Sequence, residues 1–464
     1  MEEECGIFGI YNQDRKEDLS RMCYLGLHAL QHRGQESAGI CVNQIDKLKV
    51  HKGMGLVSNV FDKNILDQLK GNIGIGHVRY STTGSSLMVN AQPLLTRSIK
   101  GDLALAHNGN LINGQELKDN LEAHGSIFHS TLDTEVIAHI VARSFKDNVI
   151  DAFIESLQQL RGAFSLIAMT QDSLIAARDP YGFRPLVLGR KDDSFIVASE
   201  TCAFDIIDAE FIREIEPGEV LIIDDNKIMS RRYSDEKPQA FCIFEFIYFA
   251  RPDSVIAGEN VYLTRKKMGE KLAQEMNIEA DLVVPVPSSG VAAAQGYSQN
   301  SVIPYADGIL RNRYVGRTFI QPSQEMRDLK VRMKLNPIKN ILKNKDIILI
   351  DDSIVRGTTS KQIINRLRGS GVNKIHVAIA SPPVKNPCYY GLDTSRRKEL
   401  IASKKTNEEI ASYIGADSLH YLSLKGLLSI LNADNNGYCT ACFDGNYPTD
   451  GNHEREVDDN GIII

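Results

Sequence analysis

Residues 345–362 read KDIILIDDSIVRGTTSKQ, in which an apolar run ends in two acidic residues and leads into a loop rich in hydroxyls. The apolar run predicts a buried strand, and the residues after the loop predict a helix. Ligands of open α/β sheets bind at the carboxyl ends of strands, so Asp351 and Asp352 lie where a ligand is expected. The segment lacks the GxxxxGK[ST] pattern of nucleotide-binding P-loops, so it does not imply ATP.

The loop after the acid pair carries groups that bind phosphate. Its residues are Arg356, Gly357, Thr358, Thr359 and Ser360. They would present backbone N–H groups and hydroxyls beside a helix N-terminus, a position that favours anions. The acid pair can accept from sugar hydroxyls or hold a cation, and Mg²⁺ suits a site with few carboxylates that substrate oxygens complete.

Strands and helices alternate on both sides of this segment. Helical patterns occupy residues 261–276 and 290–299, and apolar strand patterns occupy 281–287, 302–310 and 374–383. Such alternation is typical of a parallel sheet covered on both faces, so the second half is predicted to be an α/β domain.

The first half of the chain has a different pattern, with many short apolar runs separated by glycines. Their β-branched content and turn residues predict strands. Two helices are predicted among them, from about residue 18 to 32 and from about 133 to 145. Many strands with few helices predict a layered α+β domain.

Composition excludes several classes of protein. The chain has 464 residues, enough for two or three domains, and its net charge of −6 argues against a nucleic-acid binder with a basic surface. The acidic start MEEECGIFGI is unlike a secretory signal. The apolar run FCIFEFIYFA (241–250) is too short to span a membrane and contains Glu245. A cytoplasmic, reducing location is expected, where eight cysteines serve as core thiols, a nucleophile or metal ligands.

Cys5 is a candidate nucleophile because it follows a short leader, residues 1–4. Removal of the leader would leave an α-amino group on Cys5, with a pKa of about 7.7–8.0 that suits a general base at neutral pH. One terminal residue would then supply both thiol and base. Position alone favours the other interpretation, in which Cys5 is a small apolar residue that begins the first strand.

Further motifs support the nucleophile. The set comprises CGIFGI (5–10), LQHRGQESAGI (30–40), GIGHVRYSTTG (74–84), HNGNL (107–111) and DTE (133–135). In order and spacing it resembles the N-terminal-nucleophile glutamine amidotransferases, which implies a layered αββα sandwich. The resemblance makes Cys5 the nucleophile and Asn108 and Gly109 the oxyanion-hole donors. It assigns the glutamine α-carboxylate to Arg79 and the α-ammonium to Asp133.

The second half resembles the type I phosphoribosyltransferases through LIDDSIVRGTTS (349–360), which is similar to their motif for phosphoribosylpyrophosphate (PRPP). VPVPSSG (284–290) resembles the family loop that meets pyrophosphate, and Ser289 would join Asp351 and Asp352 at the Mg²⁺ site. Residues 312–336 resemble the mobile loop that closes over PRPP. The cationic residues of that loop that would contact PRPP include Arg317, Arg332 and Lys334.

Four cysteines form a candidate metal site: Cys242, Cys388, Cys439 and Cys442. The last two form a CxxC motif, and four thiolates suit either zinc or a [4Fe–4S] cluster. Their positions resemble those of the iron–sulfur branch of these amidotransferases, which favours the cluster. Because the predicted reaction transfers no electrons, the cluster is expected to be structural and to attach the C-terminal extension to the body.

Both halves together, over about residues 5–445, resemble the amidophosphoribosyltransferase family. The expected units are a leader (1–4), a glutaminase domain (5–234), a phosphoribosyltransferase domain (235–435) and an irregular extension with cluster ligands (436–464). The resemblance implies the first step of purine biosynthesis, in which ammonia from glutamine displaces pyrophosphate from PRPP. It also implies inhibition by purine nucleotides, an internal ammonia route and a homotetramer. No nucleic-acid or membrane partner is expected, from the net charge and from the lack of a long apolar segment.

Three alternatives compete with this interpretation. A sugar-phosphate aminating enzyme would share the glutaminase half but needs an isomerase-type second half, which LIDDSIVRGTTS argues against. A PRPP-sensing regulator without catalysis would need a DNA-binding element and a basic face. A degenerate regulator would show a broken motif, and the motifs above are intact.

Overall fold

The computed structural model describes residues 5–12, 19–80, 86–225, 227–312, 335–392, 394, 396–431 and 437–449. In these ranges, no helix combines the length and the apolar composition needed to cross a membrane.

The first half forms two antiparallel sheets within the described ranges. Their strands are β1 (Gly6–Asn12), β2 (Ser37–Gln44), β3 (Lys47–Met54), β4 (Ile73–Arg79), β5 (Leu94–Ser98), β6 (Gly101–Leu111), β7 (Gly162–Met169), β8 (Ser173–Arg178), β9 (Val187–Lys191), β10 (Ser194–Ala198), β11 (Glu210–Glu214), β12 (Glu219–Asp224) and β13 (Lys227–Arg232). One sheet has the order β11-β9-β10-β1-β4-β2-β3 and the other β13-β12-β8-β7-β6-β5.

Helices cover the outer faces of these sheets. They are α1 (Leu19–Ala29), α2 (Val57–Val60), α3 (Lys63–Gln68), α4 (Gly114–Ala123), α5 (Asp133–Arg143), α6 (Val149–Leu157) and α7 (Cys202–Asp205). Strand β1 shows the layering, since Phe8 and Ile10 pack among the residues of α1 while Ile7 faces Ile167 of the other sheet. Alternate residues of a strand point to opposite faces, so β1 is buried between a helix layer and a second sheet. This is the predicted αββα sandwich.

The second half contains a parallel sheet of order β17-β20-β21-β22. The strands of this half are β14 (Ala240–Cys242), β15 (Val255–Ile256), β16 (Glu259–Asn260), β17 (Leu282–Pro285), β18 (Ile309–Arg311), β19 (Leu335–Pro337), β20 (Asp346–Asp351), β21 (Lys374–Ile379), β22 (Ser418–Tyr421) and β23 (Gly437–Cys439). Its α-helices are α8 (Val261–Glu275), α9 (Val291–Ser301), α10 (Lys339–Leu342), α11 (Thr358–Arg368), α12 (Asn407–Ile414), α13 (Leu424–Ile430) and α14 (Ala441–Asp444).

Strand β20 is covered on both faces, as the sequence predicts. Ile348 and Ile350 pack in the cluster that includes residues of α8 and α9, whereas Ile347 and Leu349 pack in the cluster that includes residues of α11 and α12. The α/β class is confirmed by this two-sided burial.

Two sequence expectations need correction. The strand expected at residues 302–310 is interrupted: Val302 is the left-handed C-cap of α9, Tyr305 forms an isolated parallel bridge with Val283 of β17, and regular strand pairing resumes at β18 (Ile309–Arg311). The extension expected to be irregular contains β23 and α14, and β23 pairs with β14. Side-chain periodicity does not reveal such short elements, since they gain order from pairing with a distant part of the chain.

Candidate active sites

Cys5 lies immediately before β1, the central strand of its sheet. Its Sγ is 3.4 Å from the backbone oxygen of Tyr80, at the end of the neighbouring strand β4. Its own backbone oxygen accepts a hydrogen bond from Arg33 Nε at 3.1 Å. The thiol is half-buried, so it is both accessible and held by the sheet.

Asn108 and Gly109 lie on β6, in the facing sheet, which contacts β1 and β4. The Asn108 side chain is buried, and its Nδ2 has no hydrogen-bond partner among the described residues. Buried amides are nearly always hydrogen-bonded, so this one is available to a ligand. Gly109 has φ +146°, and a Cβ there would lie 2.0 Å from the Ala163 oxygen, so only glycine fits.

Arg79 and Asp133, the expected glutamine contacts, are held at the ends of elements. Arg79 ends β4, and its Nη1 is 3.5 Å from Glu36 Oε2. Asp133 begins α5 and accepts hydrogen bonds from His107 Nδ1 at 3.2 Å and Leu111 N at 3.0 Å. Burial disfavours the charged carboxylate, but His107 and the backbone donors hold the pKa of Asp133 below its usual value. An anionic Asp133 is the state that an ammonium group requires.

The second site lies where two parallel strands end side by side. Pro285 of β17 pairs with Ile350 of β20, and Val286 N donates to Ile350 O at 2.8 Å. A Cβ on Gly290 would lie 2.4 Å from Ile350 O, so the loop passes very close to β20. The half-buried Ser289 is in this loop, and the register therefore places it at the same sheet edge as the acid pair.

The acid pair itself is closely coupled. Asp352 N donates to Asp351 Oδ1 at 2.9 Å, and Ser353 Oγ donates to Asp352 Oδ1 at 2.6 Å. Burial, reinforced by the charge of Asp352, raises the pKa of the Asp351 carboxyl well above its usual value. A divalent cation bound there would offset the repulsion between the two neighbouring carboxylates, so this set of oxygen donors fits Mg²⁺.

The predicted phosphate loop leads directly into α11. Gly357 adopts φ +75° at the helix cap, which glycine tolerates without strain. Thr358 and Thr359 are exposed at the helix start, and Ser360 is buried. Arg356 is exposed but pairs with a residue beyond the loop, since its Nη2 is 2.5 Å from Glu399 Oε2.

Three of the predicted PRPP contacts, Arg317, Arg332 and Lys334, lie outside the described residues. So does the leader, residues 1–4. The expectations placed on these residues stay predictions.

The four candidate cluster cysteines line one cavity. Cys242, Cys388, Cys439 and Cys442 share it with Phe183, Tyr390, Leu392, Ala441 and Tyr447. Burial raises the pKa of the Cys439 thiol to about 12, and burial together with the other three thiols raises that of Cys442. Over the described ranges, however, no three Cys, His, Asp or Glu side chains converge into a site for a single metal ion.

Sequence reasoning missed a cluster of buried charges behind Cys5. Arg33, Glu200 and Glu245 have fully buried side chains and are joined by ion pairs. Burial disfavours the charge of Glu200, but His32 and Arg33 hold its pKa far below the usual value. The sequence does contain one indication of this cluster, because Glu245 is an isolated acidic residue within the apolar run 241–250.

Comparison with known proteins identifies the family. One family model, a glutamine amidotransferase domain, matches residues 77–205, and another, a phosphoribosyl transferase domain, matches residues 255–413. An amidophosphoribosyltransferase of Bacillus subtilis is 50% identical over 455 residues, which cover 97% of this chain and 95% of that protein. The chain belongs to the amidophosphoribosyltransferase family.

Other amidophosphoribosyltransferases give the same result. That of Methanocaldococcus jannaschii is 48% identical, over 97% of this chain and 99% of its own length. The solved structure of the B. subtilis glutamine PRPP amidotransferase, complexed with ADP and GMP, superposes with a TM-score of 0.90 at 50% identity. The match covers 96% of this chain and 98% of that one. The predicted fold and enzyme class, a glutamine-dependent glycosyltransferase, are confirmed.

Proposed function

We propose that this amidophosphoribosyltransferase releases ammonia from glutamine at Cys5 and uses it to displace pyrophosphate from PRPP at Asp351 and Asp352. The observation that carries the proposal is the buried Asn108 amide without a partner among the described residues, next to Gly109 on a strand that contacts β1. Such a donor matches an oxyanion hole, because it is fixed before the charge develops.

In the first stage, the Cys5 sulfur attacks the glutamine carboxamide carbon. Its proton passes to the α-amine of Cys5, which is free once residues 1–4 are removed, and then to the departing ammonia. Asn108 and Gly109 stabilise the tetrahedral oxyanion, while Arg79 and Asp133 hold the α-carboxylate and α-ammonium. Water then hydrolyses the thioester, which releases glutamate and restores the thiol.

In the second stage, residues 356–360 bind the 5-phosphate of PRPP, and the acid pair accepts from its ribose hydroxyls. Mg²⁺, bound by Ser289, Asp351 and Asp352, would supply charge neutralisation to the pyrophosphate. The nitrogen lone pair of ammonia forms the new bond to C1 of the ribose as the bond to pyrophosphate breaks. The product is 5-phosphoribosylamine, the first intermediate of purine biosynthesis.

We further propose that the four cysteines hold a structural [4Fe–4S] cluster. Their shared cavity supports a common ligand, and the raised thiol pKa values show how costly the bare thiolates would be there. Four thiolates suit either zinc or a [4Fe–4S] cluster, and the family resemblance of the four positions favours the cluster.

Several broader expectations complete the proposal. The related B. subtilis structure holds ADP and GMP, which supports inhibition by purine nucleotides. A cytoplasmic homotetramer and a domain boundary near residues 234–235 are proposed from the family resemblance.

The deciding experiment measures pyrophosphate release from PRPP and Mg²⁺ by anaerobically purified, leader-free protein. With glutamine as the nitrogen source, Cys5→Ala should abolish release, whereas with ammonium the same variant should remain active. If the folded wild-type protein releases no pyrophosphate with either nitrogen source, the assignment as an enzyme is rejected. The alternative, a PRPP-sensing regulator, is then favoured.

A further inference from the structure

The buried charges behind Cys5 connect the two halves of the chain. Arg33 and Glu200 belong to the first half, whereas Glu245 follows β14 in the second. Arg33 forms a bidentate pair with Glu245. Its Nη1 donates to Oε2 at 3.0 Å, and its Nη2 donates to Oε1 at 2.7 Å. Its Nη1 also donates to Glu200 Oε1 at 2.5 Å. Two-pronged pairs of this kind fix the orientation of the guanidinium as well as its position.

The remaining edge of the same guanidinium holds the candidate nucleophile. Arg33 Nε donates to the backbone oxygen of Cys5 at 3.1 Å. Because the guanidinium is planar and rigid, the bonds to Glu245 and Glu200 together determine where Nε points. A displacement of the carboxylate of Glu245 would therefore displace the backbone of Cys5.

The segment that carries Glu245 is anchored deep in the second half. Glu245 begins the π-helical turn Glu245–Phe249. Arg265, a buried residue of α8, donates to the oxygens of Phe246 at 2.7 Å and Ala250 at 2.8 Å, so it clamps this turn from both ends.

We propose that Arg33 and Glu245 are positioning residues for the glutaminase nucleophile, with Glu245 supplied by the phosphoribosyltransferase half. The inference rests on the proposed role of Cys5. It means that the first half contains the glutamine contacts but that the second half sets the geometry of the attacking residue.

The test uses the full-length, anaerobically purified protein carrying Glu245→Gln. Loss of one carboxylate oxygen breaks the two-pronged pair, so kcat with glutamine should fall about 10-fold to 100-fold, the cost of a misplaced reacting group. The KM for glutamine and the activity with ammonium should stay close to the wild-type values. Alkylation of Cys5 by a glutamine-analogue diazoketone should slow in parallel with kcat.

The matched control is Glu219→Gln, which removes another buried carboxylate, paired with Arg213 at 2.6 Å. It should leave kcat with glutamine unchanged. If Glu245→Gln behaves like this control, the inference is wrong. If wild-type protein itself neither hydrolyses glutamine nor is alkylated at Cys5, the proposed function fails instead.

A second variant covers the case in which Glu245→Gln does not fold. Arg33→Lys keeps a positive charge between Glu200 and Glu245 but removes the Nε donor to Cys5. It should show the same selective loss of glutamine-dependent kcat, with ammonium-dependent activity retained. Full glutamine-dependent activity in Arg33→Lys would overturn the inference.

Discussion

Asn108 and Gly109 occupy neighbouring positions on β6 and contribute in different ways. Gly109 is required by space, since a Cβ would collide with the backbone of the adjacent strand β7. Asn108 is required by chemistry, since its buried Nδ2 lacks a partner in the described part of the chain. A buried donor without a partner lowers stability, so its presence indicates a ligand.

Substitution of Asn108 by Ala separates the effect of this amide on catalysis from its effect on stability. The glutamine-dependent kcat should fall by about 10²–10³, the usual cost of one oxyanion-hole donor. Because the free amide costs stability, the thermal midpoint should not fall. Steady-state kinetics and thermal unfolding measure the two effects.

Asn43→Ala is the control for this substitution, since the Asn43 amide bonds to Asn72 Oδ1 and Gln171 O, each at 2.9 Å. That variant should lose stability and keep its glutamine-dependent kcat. Unchanged glutaminase activity in Asn108→Ala would contradict the assignment of the oxyanion hole.

Motifs predict residues whose partners are close in sequence or are ligands, and miss residues whose partners are distant. Asp351 and Asp352 could be predicted as site residues because the strand, the acid pair and the loop are contiguous. Arg33 and Glu245 were not paired in advance, because they are separated by most of the glutaminase domain and meet only after folding. Nothing in their spacing encodes that contact.

Helices α8 and α9 pack so closely that two glycines mediate the contact. A Cβ on Gly269 would lie 1.8 Å from Ala293 O, and one on Gly296 would lie 2.0 Å from Lys266 O. The contact matters for function because α8 carries Arg265 and α9 begins directly after the Ser289 loop. Helix periodicity predicted both helices, but the distance between them depends on backbone contacts that periodicity does not report.

Gly296→Ala should force these helices apart. Overpacking of this kind typically costs about 1–3 kcal/mol, so the free energy of unfolding should fall by that amount. Ammonium-dependent activity should also fall, because the Ser289 loop moves with α9. Chemical denaturation measures the free energy of unfolding. Ammonium-dependent kinetics, including the KM for PRPP, measure the change in activity.

Gly369→Ala provides the comparison, since a Cβ there has its nearest neighbour at an ordinary 3.5 Å from Asn365 O. This variant should be neutral or slightly stabilising, as expected for alanine at a residue with helical φ and ψ. Equal stability of both variants would show that α8 and α9 tolerate separation.

The cavity lined by the four cysteines brings together parts of the chain that are far apart in sequence. In the parallel pairing of β14 with β23, the backbone of Cys242 lies opposite that of Cys439. The backbone N–H groups of Lys385 and Asn386 both donate to the backbone oxygen of Cys442. The CxxC motif indicated two of the cysteines, and the family resemblance predicted the set of four. The residues themselves left zinc and iron–sulfur chemistry open, because ligand identity alone is the same for both.

Cys442→Ser should abolish cluster assembly. Purified anaerobically, it should lack the iron and the visible absorbance that the proposed cluster would give the wild-type protein, and it should become susceptible to proteolysis within residues 437–449. Cys41→Ala, at a buried thiol of β2 outside the cavity, should keep both the iron and the absorbance. One equivalent of zinc in wild-type protein, with no iron, would show that the metal assignment is wrong.

The parallel pairing of β14 with β23 also constrains how the chain is made. Ribosomes synthesise about 5–20 residues per second, so Ala240–Cys242 leaves the ribosome on the order of 10–40 seconds before its partner Gly437–Cys439. Throughout that interval both sheets of the first half are complete in sequence, and β14 can bond to the backbone of Tyr181 and Phe183 but lacks its sheet partner β23. Closure of this junction is therefore a late event in biogenesis, and any cofactor held there is inserted only after translation has almost ended.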